Sequence, residues 1–340
     1  MPESSPSSGL NRRYLRVQDL RRLRSLSFAS RRIVEGLYTG RHASPQRGHS
    51  VEFNDYREYF PGDEIGDIDW KVFGRTDRLM IKMFEHQSDM SVHLIVDASA
   101  SMGYKGMKGP RDKGLGPRAE NAKNMRTSAA SSLGPRPSSP GPSFALDSKF
   151  DHACRMAAAV AFLTTKQQDK VSLSLVQQGL ARHERPASSI SHLITLLRAM
   201  EETQPTGEAG LAAALKKLAA ITRRRAVILI FSDLLDDFEA VNDALAIHTH
   251  RGSEVIIFHV MHADELHLPQ MHEAVFEDSE TGEKVTLNID DVRAAYDERM
   301  KTFLHQWNVA CRGKGIDYNL VNTATPYTKS LENYLFSRVR

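Results

Sequence analysis

Three oxygen-bearing side chains follow a short apolar segment at a spacing of two residues. The run from Val92 to Val96 is apolar at most positions and is typical of a buried central parallel strand. Asp97, Ser99 and Ser101 come directly after it. In a tight loop, this alternation can direct all three side chains into one crevice. The spacing therefore predicts a small cluster of carboxylate and hydroxyl oxygens at the end of a strand.

A second apolar run ends in the same kind of chemistry. Residues 226–231 read AVILIF and are followed by Ser232 and Asp233. In open α/β sheets, ligands bind beyond the carboxyl ends of the strands, so Asp97 and Asp233 are expected at one edge. Hydroxyl and carboxylate oxygens suit a hard cation, and the pattern predicts a Mg²⁺ site there. The alternative is that Asp97 and the serines only cap the turn or helix that follows.

The elements around these residues predict the fold class. Apolar strand-like runs alternate with helical patterns from residue 92 to residue 260. This order favours an α/β fold with a mainly parallel Rossmann-like sheet and helices on both faces. The strands are expected at 92–96, 171–176, 226–231 and 254–260, and the helices from Phe150 and at 190–200, 211–221 and 238–250. Farther along, a hairpin is expected at 274–288, a helix at 290–311, a strand at 317–321 and a helix at 329–336.

The chain divides into four regions on composition. Residues 1–10 are polar and predicted to be a disordered tail, and residues 11–90 to hold a basic amphipathic helix and a β-rich layer. The main domain is expected at 91–265, with residues 266–340 completing it. Residues 104–148 are rich in Gly, Pro and Ser, and are predicted to be a disordered insertion into the main domain.

The Asp-x-Ser-x-Ser pattern after an apolar strand resembles the first signature of the metal-ion-dependent adhesion site in the von Willebrand factor A family. The resemblance implies that Asp97, Ser99 and Ser101 are ligands of the first loop. It also implies that Asp233 is the acidic residue of the third loop. In such a site, the open position of the ion accepts a carboxylate from a partner protein.

The second adhesion loop departs from that family pattern. Where the resemblance places a metal-binding threonine, this chain has Ala209, whose methyl group cannot bind a metal. Thr206 is the nearby substitute, and it would need a different loop path. The expected Mg²⁺ site is therefore degenerate, and its affinity is predicted to be weak or absent.

A closer resemblance lies upstream of Asp97. The block from Glu52 to Glu64, with Ile68-Asp69-Trp70-Lys71 and the segment 81–85, looks like the signature of the bacterial domain of unknown function 58 family. Members pair this block with a von Willebrand A-like domain. The resemblance implies a MoxR-type AAA+ ATPase, or its client, as the partner, in chaperone-like maturation or assembly. Trp70 is expected to pack beneath a charge-paired network in this block.

Composition limits the remaining function classes. The net charge of +3 is too small to indicate a nucleic acid, and no recognition motif is present, so no specific nucleic acid is expected. No apolar run approaches the roughly 18 residues of a membrane span, and the N-terminus lacks a signal-peptide pattern. The two cysteines, Cys154 and Cys311, lie far apart and suit a reducing compartment. These features predict a cytoplasmic protein.

Two functions remain open from the sequence. The first is a non-enzymatic protein-interaction module built around the degenerate adhesion site. The second is a metal-dependent hydrolase that uses Asp97 as nucleophile or ligand. An aspartyl phosphoryl-transfer enzyme would need a second carboxylate two residues later, where this chain has Ser99. The histidines form no zinc motif, and the segment from His262 to His272 is expected to be an exposed polar loop.

Overall fold

The structure is a computed structural model, and it describes residues 12–23, 26, 28, 52–58, 70–76, 78–85, 91–106, 147–270, 272–277 and 283–339. The predicted tail at 1–10 lies outside the described residues, as does most of the predicted insertion at 104–148. The ends of that insertion are described, and they lie together: the Lys149 amide donates to the Tyr104 carbonyl at 3.1 Å. The two described ends of the predicted insertion therefore lie side by side.

A six-stranded sheet forms the centre of the main domain. Its strands are β3 (Ser91–Asp97), β4 (Lys170–Val176), β5 (Leu180–Ala187), β6 (Val227–Ser232), β7 (Glu254–Met261) and β10 (Asp317–Asn322). Their order across the sheet is β10-β7-β6-β3-β4-β5. Every neighbouring pair is parallel except β4 and β5, which pair antiparallel. The prediction of a mainly parallel α/β sheet is confirmed.

The edge strand β5 was not among the predicted elements. Its sequence, LARHERPA, carries polar side chains on both faces, and its residues are exposed or half-buried. An edge strand that buries neither face lacks the alternation by which a strand is recognised. Its pairing depends on the turn at Gly179, whose φ of +135° lies in a region that glycine adopts without strain.

Helices cover both faces of the sheet. The helices α3 (Lys149–Lys166), α4 (Ile190–Glu202) and α9 (Tyr327–Val339) pack on one face, and α5 (Leu211–Ile221), α6 (Phe238–His250) and α8 (Ile289–Gly313) pack on the other. The strand β3 shows why two layers are needed, because Val92, Leu94 and Val96 enter one core while Ile95 enters the other.

The helix α3 begins at a capping box. The Ser148 side chain accepts a hydrogen bond from the Asp151 amide, and the Asp151 carboxylate accepts from the Ser148 amide. Behind this cap, alanines at 153, 157, 158, 159 and 161 are all buried. Their small side chains let the helix be enclosed on nearly every side. This packing fixes the first residue of the helix, Lys149, beneath the edge of the sheet.

The apolar residues Leu20, Leu23, Leu26 and Phe28 predict one basic amphipathic helix, and the observed helix is shorter. The helix α1 spans Val17–Leu23, and Leu26 and Phe28 follow it outside the helix. Two of the preceding arginines are ion-paired with the main domain: Arg12 with Glu201 at 3.2 Å and Arg13 with Asp151 at 2.7 Å. Leu23 and Phe28 are both buried in the core although Phe28 lies beyond the helix, so helical periodicity overestimated the length of the helix.

The family block forms a small separate sheet. Strands β1 (Glu52–Glu58) and β2 (Met80–Glu85) pair antiparallel, and the helix α2 (Trp70–Thr76) lies between them in sequence. Trp70 is 57% exposed and contacts Phe73 edge to face, so the expectation that Trp70 is buried beneath the block is wrong. Trp70 is the first residue of the short helix α2. Among the carboxylates of this block, Asp63, Asp67, Asp69 and Asp77 lie outside the described residues.

The C-terminal region contains the predicted hairpin and one short helix that was not predicted. Strands β8 (Glu273–Glu277) and β9 (Lys284–Asn288) pair antiparallel before α8. The segment after β7 is not simply an exposed loop, because it contains the short helix α7 (Ala263–Leu266), which His262 caps by accepting from the Asp264 amide. Among the residues that the structure describes, no helix has both the length and the apolar character needed to cross a bilayer.

Candidate functional site

The loop after β3 brings the three predicted side chains together. Asp97 is 3% exposed, Ser99 is fully buried and Ser101 is half-buried. Asp97 Oδ1 accepts a hydrogen bond from the Ser99 amide at 2.9 Å, and the hydroxyls of Ser99 and Ser101 lie 3.1 Å apart. One Asp97 oxygen therefore accepts a hydrogen bond within its own loop, as the capping alternative expects. The Ser99 hydroxyl makes no such bond to the 3₁₀ turn at Ala100–Gly103.

The loop after β6 adds a serine and a carboxylate to the same edge. The Ser232 hydroxyl donates to Asp97 Oδ2 at 2.6 Å and accepts from the Leu234 amide at 2.9 Å. Leu234 has a φ of +54°, an uncommon conformation for a branched side chain. Asp233 is 1% exposed. The sequence thus predicted correctly that Asp97 and the Ser232-Asp233 pair lie at one edge of the sheet.

A buried histidine supports Asp233 from the next strand. His259 Nε2 donates to the Asp233 carbonyl at 2.8 Å, and because a carbonyl only accepts, Nδ1 accepts from the Tyr318 hydroxyl at 2.6 Å. Burial lowers the pKa of His259 to about 4, which keeps the ring neutral and this pair of hydrogen bonds intact. Sequence reasoning missed His259, since a single histidine in a strand gives no motif.

The loop between α4 and α5 completes the edge through its backbone. The Thr206 amide donates to the Ala98 carbonyl at 2.9 Å, and the Ala100 amide donates to the Gly207 carbonyl at 2.9 Å. Thr206 is exposed, and its hydroxyl accepts from Gln177 Nε2 at 3.0 Å. The loop therefore does run beside the first loop, but the Thr206 hydroxyl is engaged on the outer side with Gln177. The half-buried Ala209 offers no oxygen from its side chain.

Asp236 ties this loop to the third one. Its Oδ2 accepts from the amides of Leu211 and Ala212 at 2.8 and 3.4 Å, and so caps the first turn of α5. At the same turn, Gly210 lies so close to the loop after β4 that a Cβ atom there would meet the Gly179 nitrogen at 2.3 Å. Three loops from different parts of the chain are thus joined by hydrogen bonds into one surface.

A lysine that the sequence did not single out lies inside the site. Lys149 Nζ donates to Asp233 Oδ2 at 2.8 Å and to Glu265 Oε1 at 2.5 Å, and the lysine is fully buried. A weak sequence signal existed. Lys149 is the first residue of a capped helix, where a positive charge opposes the helix dipole and needs a nearby anion.

The charges of this cluster shift one another's protonation. Burial first and the nearby Asp233 carboxylate second raise the pKa of Asp97 to about 6, against the lowering effect of the hydrogen bonds from Ser232 and Ser99. Burial alone would lower the pKa of Lys149, but the Asp233 and Glu265 carboxylates together raise it above its ordinary value. The ammonium is therefore held in its charged form.

The predicted ligands do not fit a divalent cation as they are arranged. Mg²⁺ requires about six oxygens in near-octahedral geometry. Both oxygens of Asp97 accept hydrogen bonds from the protein, and Asp233 Oδ2 is bound to an ammonium. Among the described residues, no group of three or more His, Cys, Asp and Glu side chains could hold a metal ion. Binding of Mg²⁺ would require these bonds to rearrange.

The sequence matches a family model and curated relatives. The family described as "Protein of unknown function DUF58" matches residues 55–114 and 138–305, and the gap between the two segments lies inside the predicted insertion. "Uncharacterized protein Rv1480" of Mycobacterium tuberculosis is 26% identical over 273 residues, covering 79% of this chain and 73% of that protein. "Uncharacterized protein Mb1516" of Mycobacterium bovis matches with the same identity and coverage.

Solved structures give weaker likenesses. The conserved hypothetical protein BatB from Bacteroides thetaiotaomicron aligns with a TM-score of 0.41 and 10% identity, covering 73% of this chain and 98% of that one. An aerotolerance-related membrane protein from Bacteroides fragilis aligns with a TM-score of 0.39 and 12% identity, covering 73% and 99%. Likenesses at this level carry no argument about function.

Proposed function

The chain belongs to the family of proteins of unknown function DUF58, and from that premise we propose that it is a non-enzymatic protein-interaction module. Its docking surface would be the edge of the sheet where the loops after β3, after β6 and before α5 meet. The observation that carries the proposal is that these loops are hydrogen-bonded to one another. Such a surface is pre-organised, so little conformational entropy is lost when a partner binds it.

A groove beside Thr206 provides a surface that a partner can reach. It has a volume of about 580 Å³, and its lining includes Gln178, Thr206, Gly207 and Lys217. The amide, hydroxyl and ammonium groups there can each hydrogen-bond to a peptide. The adhesion-site resemblance implies a carboxylate from the partner, and we propose that the exposed Lys217 receives it.

The proposed partner is a MoxR-type AAA+ ATPase or its client, acting in chaperone-like maturation or assembly. This identity rests on the family resemblance of the block upstream of Asp97. An ATPase partner requires a compartment that contains ATP, so the proposal places the chain in the cytoplasm. A magnesium ion at Asp97, Ser99, Ser101 and Asp233, with Thr206 as a further ligand, is the competing arrangement, and a metal titration distinguishes it from a site without metal.

Two neighbouring lysines on α5 allow a matched test. Lys217 lines the groove, whereas Lys216 is exposed on the same helix without lining it. Binding to a MoxR-type AAA+ ATPase would be measured for Lys217→Glu and Lys216→Glu. We expect Lys217→Glu to weaken binding tenfold or more, or about 1.4 kcal/mol, and Lys216→Glu to leave it unchanged. Wild-type affinity in both variants, or no binding by the wild type, would contradict the proposal.

The alternative function, a metal-dependent hydrolase that uses Asp97, has less support. A nucleophilic carboxylate must be ionised and reachable, whereas Asp97 is 3% exposed and its two oxygens accept from Ser99 and Ser232. A phosphatase screen tests this alternative directly. Turnover by the wild type that is abolished in Asp97→Asn would favour the hydrolase over the interaction module.

A further inference from the structure

We propose that the Lys149 ammonium takes the place of the divalent cation in this site, so that the site is closed by a cation from the chain itself and works without a metal. The inference rests on the proposed function only for the location of the site. It adds how the site is neutralised and which ligand it excludes.

The first support is the position of the ammonium. Its Nζ atom lies 2.8 Å from Asp233 Oδ2, one of the two oxygens that this third-loop carboxylate could offer to a metal. A magnesium ion bound to that oxygen at about 2.1 Å would lie no more than about 5 Å from the ammonium. In a buried site, two positive charges at that distance repel each other strongly. The ammonium and the metal therefore compete for the same carboxylate.

The second support is that the Lys149 side chain is enclosed by the protein. Lys149 is fully buried, and hydrogen bonds hold the backbone at the start of its helix. Its amide donates to the Tyr104 carbonyl, and the residue before it, Ser148, forms the capping box with Asp151. The side chain also contacts Glu265, whose other oxygen accepts from the His262 amide at 2.8 Å. The second carboxylate is thus positioned to hold the ammonium in place.

The third support is the charge that the site must balance. Asp97 and Asp233 are both buried, and a buried carboxylate without a compensating charge or hydrogen bond is strongly unfavourable. The second loop supplies Ala209 where a hydroxyl ligand is expected, so the oxygen set for a metal is incomplete. The missing hydroxyl ligand at Ala209 and the presence of the Lys149 ammonium both favour a site without a metal. A site that cannot complete the shell of a metal retains a positive charge by using a lysine.

The test is a titration of Mg²⁺ and Mn²⁺ by calorimetry on the full chain, with no partner present. The variants are Lys149→Ala, which removes the ammonium and leaves room for an ion with its waters, and Lys216→Ala as an exposed control. We expect no saturable binding to the wild type or to Lys216→Ala at millimolar metal. We expect Lys149→Ala to bind at least tenfold more tightly than the wild type. Binding should disappear when Asp233→Asn is added to Lys149→Ala.

Two outcomes would overturn the inference. One is saturable, sub-millimolar binding to the wild type that Asp233→Asn abolishes. The other is absence of binding in Lys149→Ala, which would show that the ammonium is not what excludes the ion. If Lys149→Ala does not fold alone, circular dichroism decides: Mg²⁺ or Mn²⁺ should restore folding, and NaCl of equal ionic strength should not. Because no partner is used, failure here is distinct from failure of the Lys217 binding test.

Discussion

The Ser232 hydroxyl donates a 2.6 Å hydrogen bond to Asp97 Oδ2, and this bond joins the loops that follow two neighbouring strands. The parallel register of β3 and β6 produces the meeting, because Val96 pairs with Phe231 and the next residue on each strand is Asp97 or Ser232. The edge of the sheet is therefore held together by a buried side-chain bond as well as by the strand ladder.

Removing that bond should destabilise the fold. In Ser232→Ala, Asp97 loses a donor and the Leu234 amide loses its acceptor, and both groups are buried. We expect the free energy of unfolding to fall by about 1–3 kcal/mol in urea denaturation. The exposed Ser188→Ala should change it by no more than about 0.5 kcal/mol. Equal effects from the two variants would show that the Ser232 bond carries no stability.

A Cβ atom at Gly210 should separate the loops. It would lie 2.3 Å from the Gly179 nitrogen and 2.5 Å from the Gln177 carbonyl oxygen, which are backbone atoms that cannot rotate away. We expect Gly210→Ala to lower the free energy of unfolding by about 1–3 kcal/mol or more, and to weaken partner binding through the displaced groove. The control is Gly313→Ala in α8, where a Cβ meets nothing within 4 Å. Alanine there should be neutral or stabilising by up to about 1 kcal/mol, and an equal loss in both variants would contradict the close approach.

Buried histidines should make the protein acid-sensitive. Burial first and the Arg155 guanidinium second lower the pKa of His152 to about 4, against the opposing effect of Asp147. An unfolded histidine titrates near 6.5, so between about pH 6.5 and pH 4 the unfolded chain binds the extra proton. Stability from this group is therefore fully present above pH 6.5 and is lost as pH falls towards 4, by about 3 kcal/mol at most. His93, with a pKa also near 4, should act in the same direction.

The matched measurement is the difference between wild type and His152→Leu in urea unfolding at pH 7.5, 5.5 and 4.5. The wild type should lose more stability than the variant as the pH falls. Asp97 acts in the opposite direction, because its raised pKa of about 6 means that the folded chain takes up its proton first. Comparing the two proteins cancels that contribution. Parallel pH profiles would show that His152 is not the neutral buried group described above.

The sequence by itself determined most of the scaffold and half of the site. The buried strands can be predicted because a strand that is buried on both faces must be apolar along its length, as in β3 and β6. Asp97, Ser99 and Ser101 are readable because a local spacing places them in one loop. The local pattern did not predict the polar edge strand β5 or the end of α1, because contacts with distant parts of the chain determine both.

Only the tertiary structure decided what balances the charge of the site. Lys149 meets Asp233 across 84 residues and Glu265 across 116, and His259 meets Asp233 across 26. No periodicity or motif relates residues at such separations, since the folded sheet and the packing of α3 bring them together. A buried carboxylate must find a positive charge or a donor, and the sequence shows that the carboxylates exist. Whether a bound ion or the chain's own lysine neutralises these carboxylates depends on where the start of α3 lies in space.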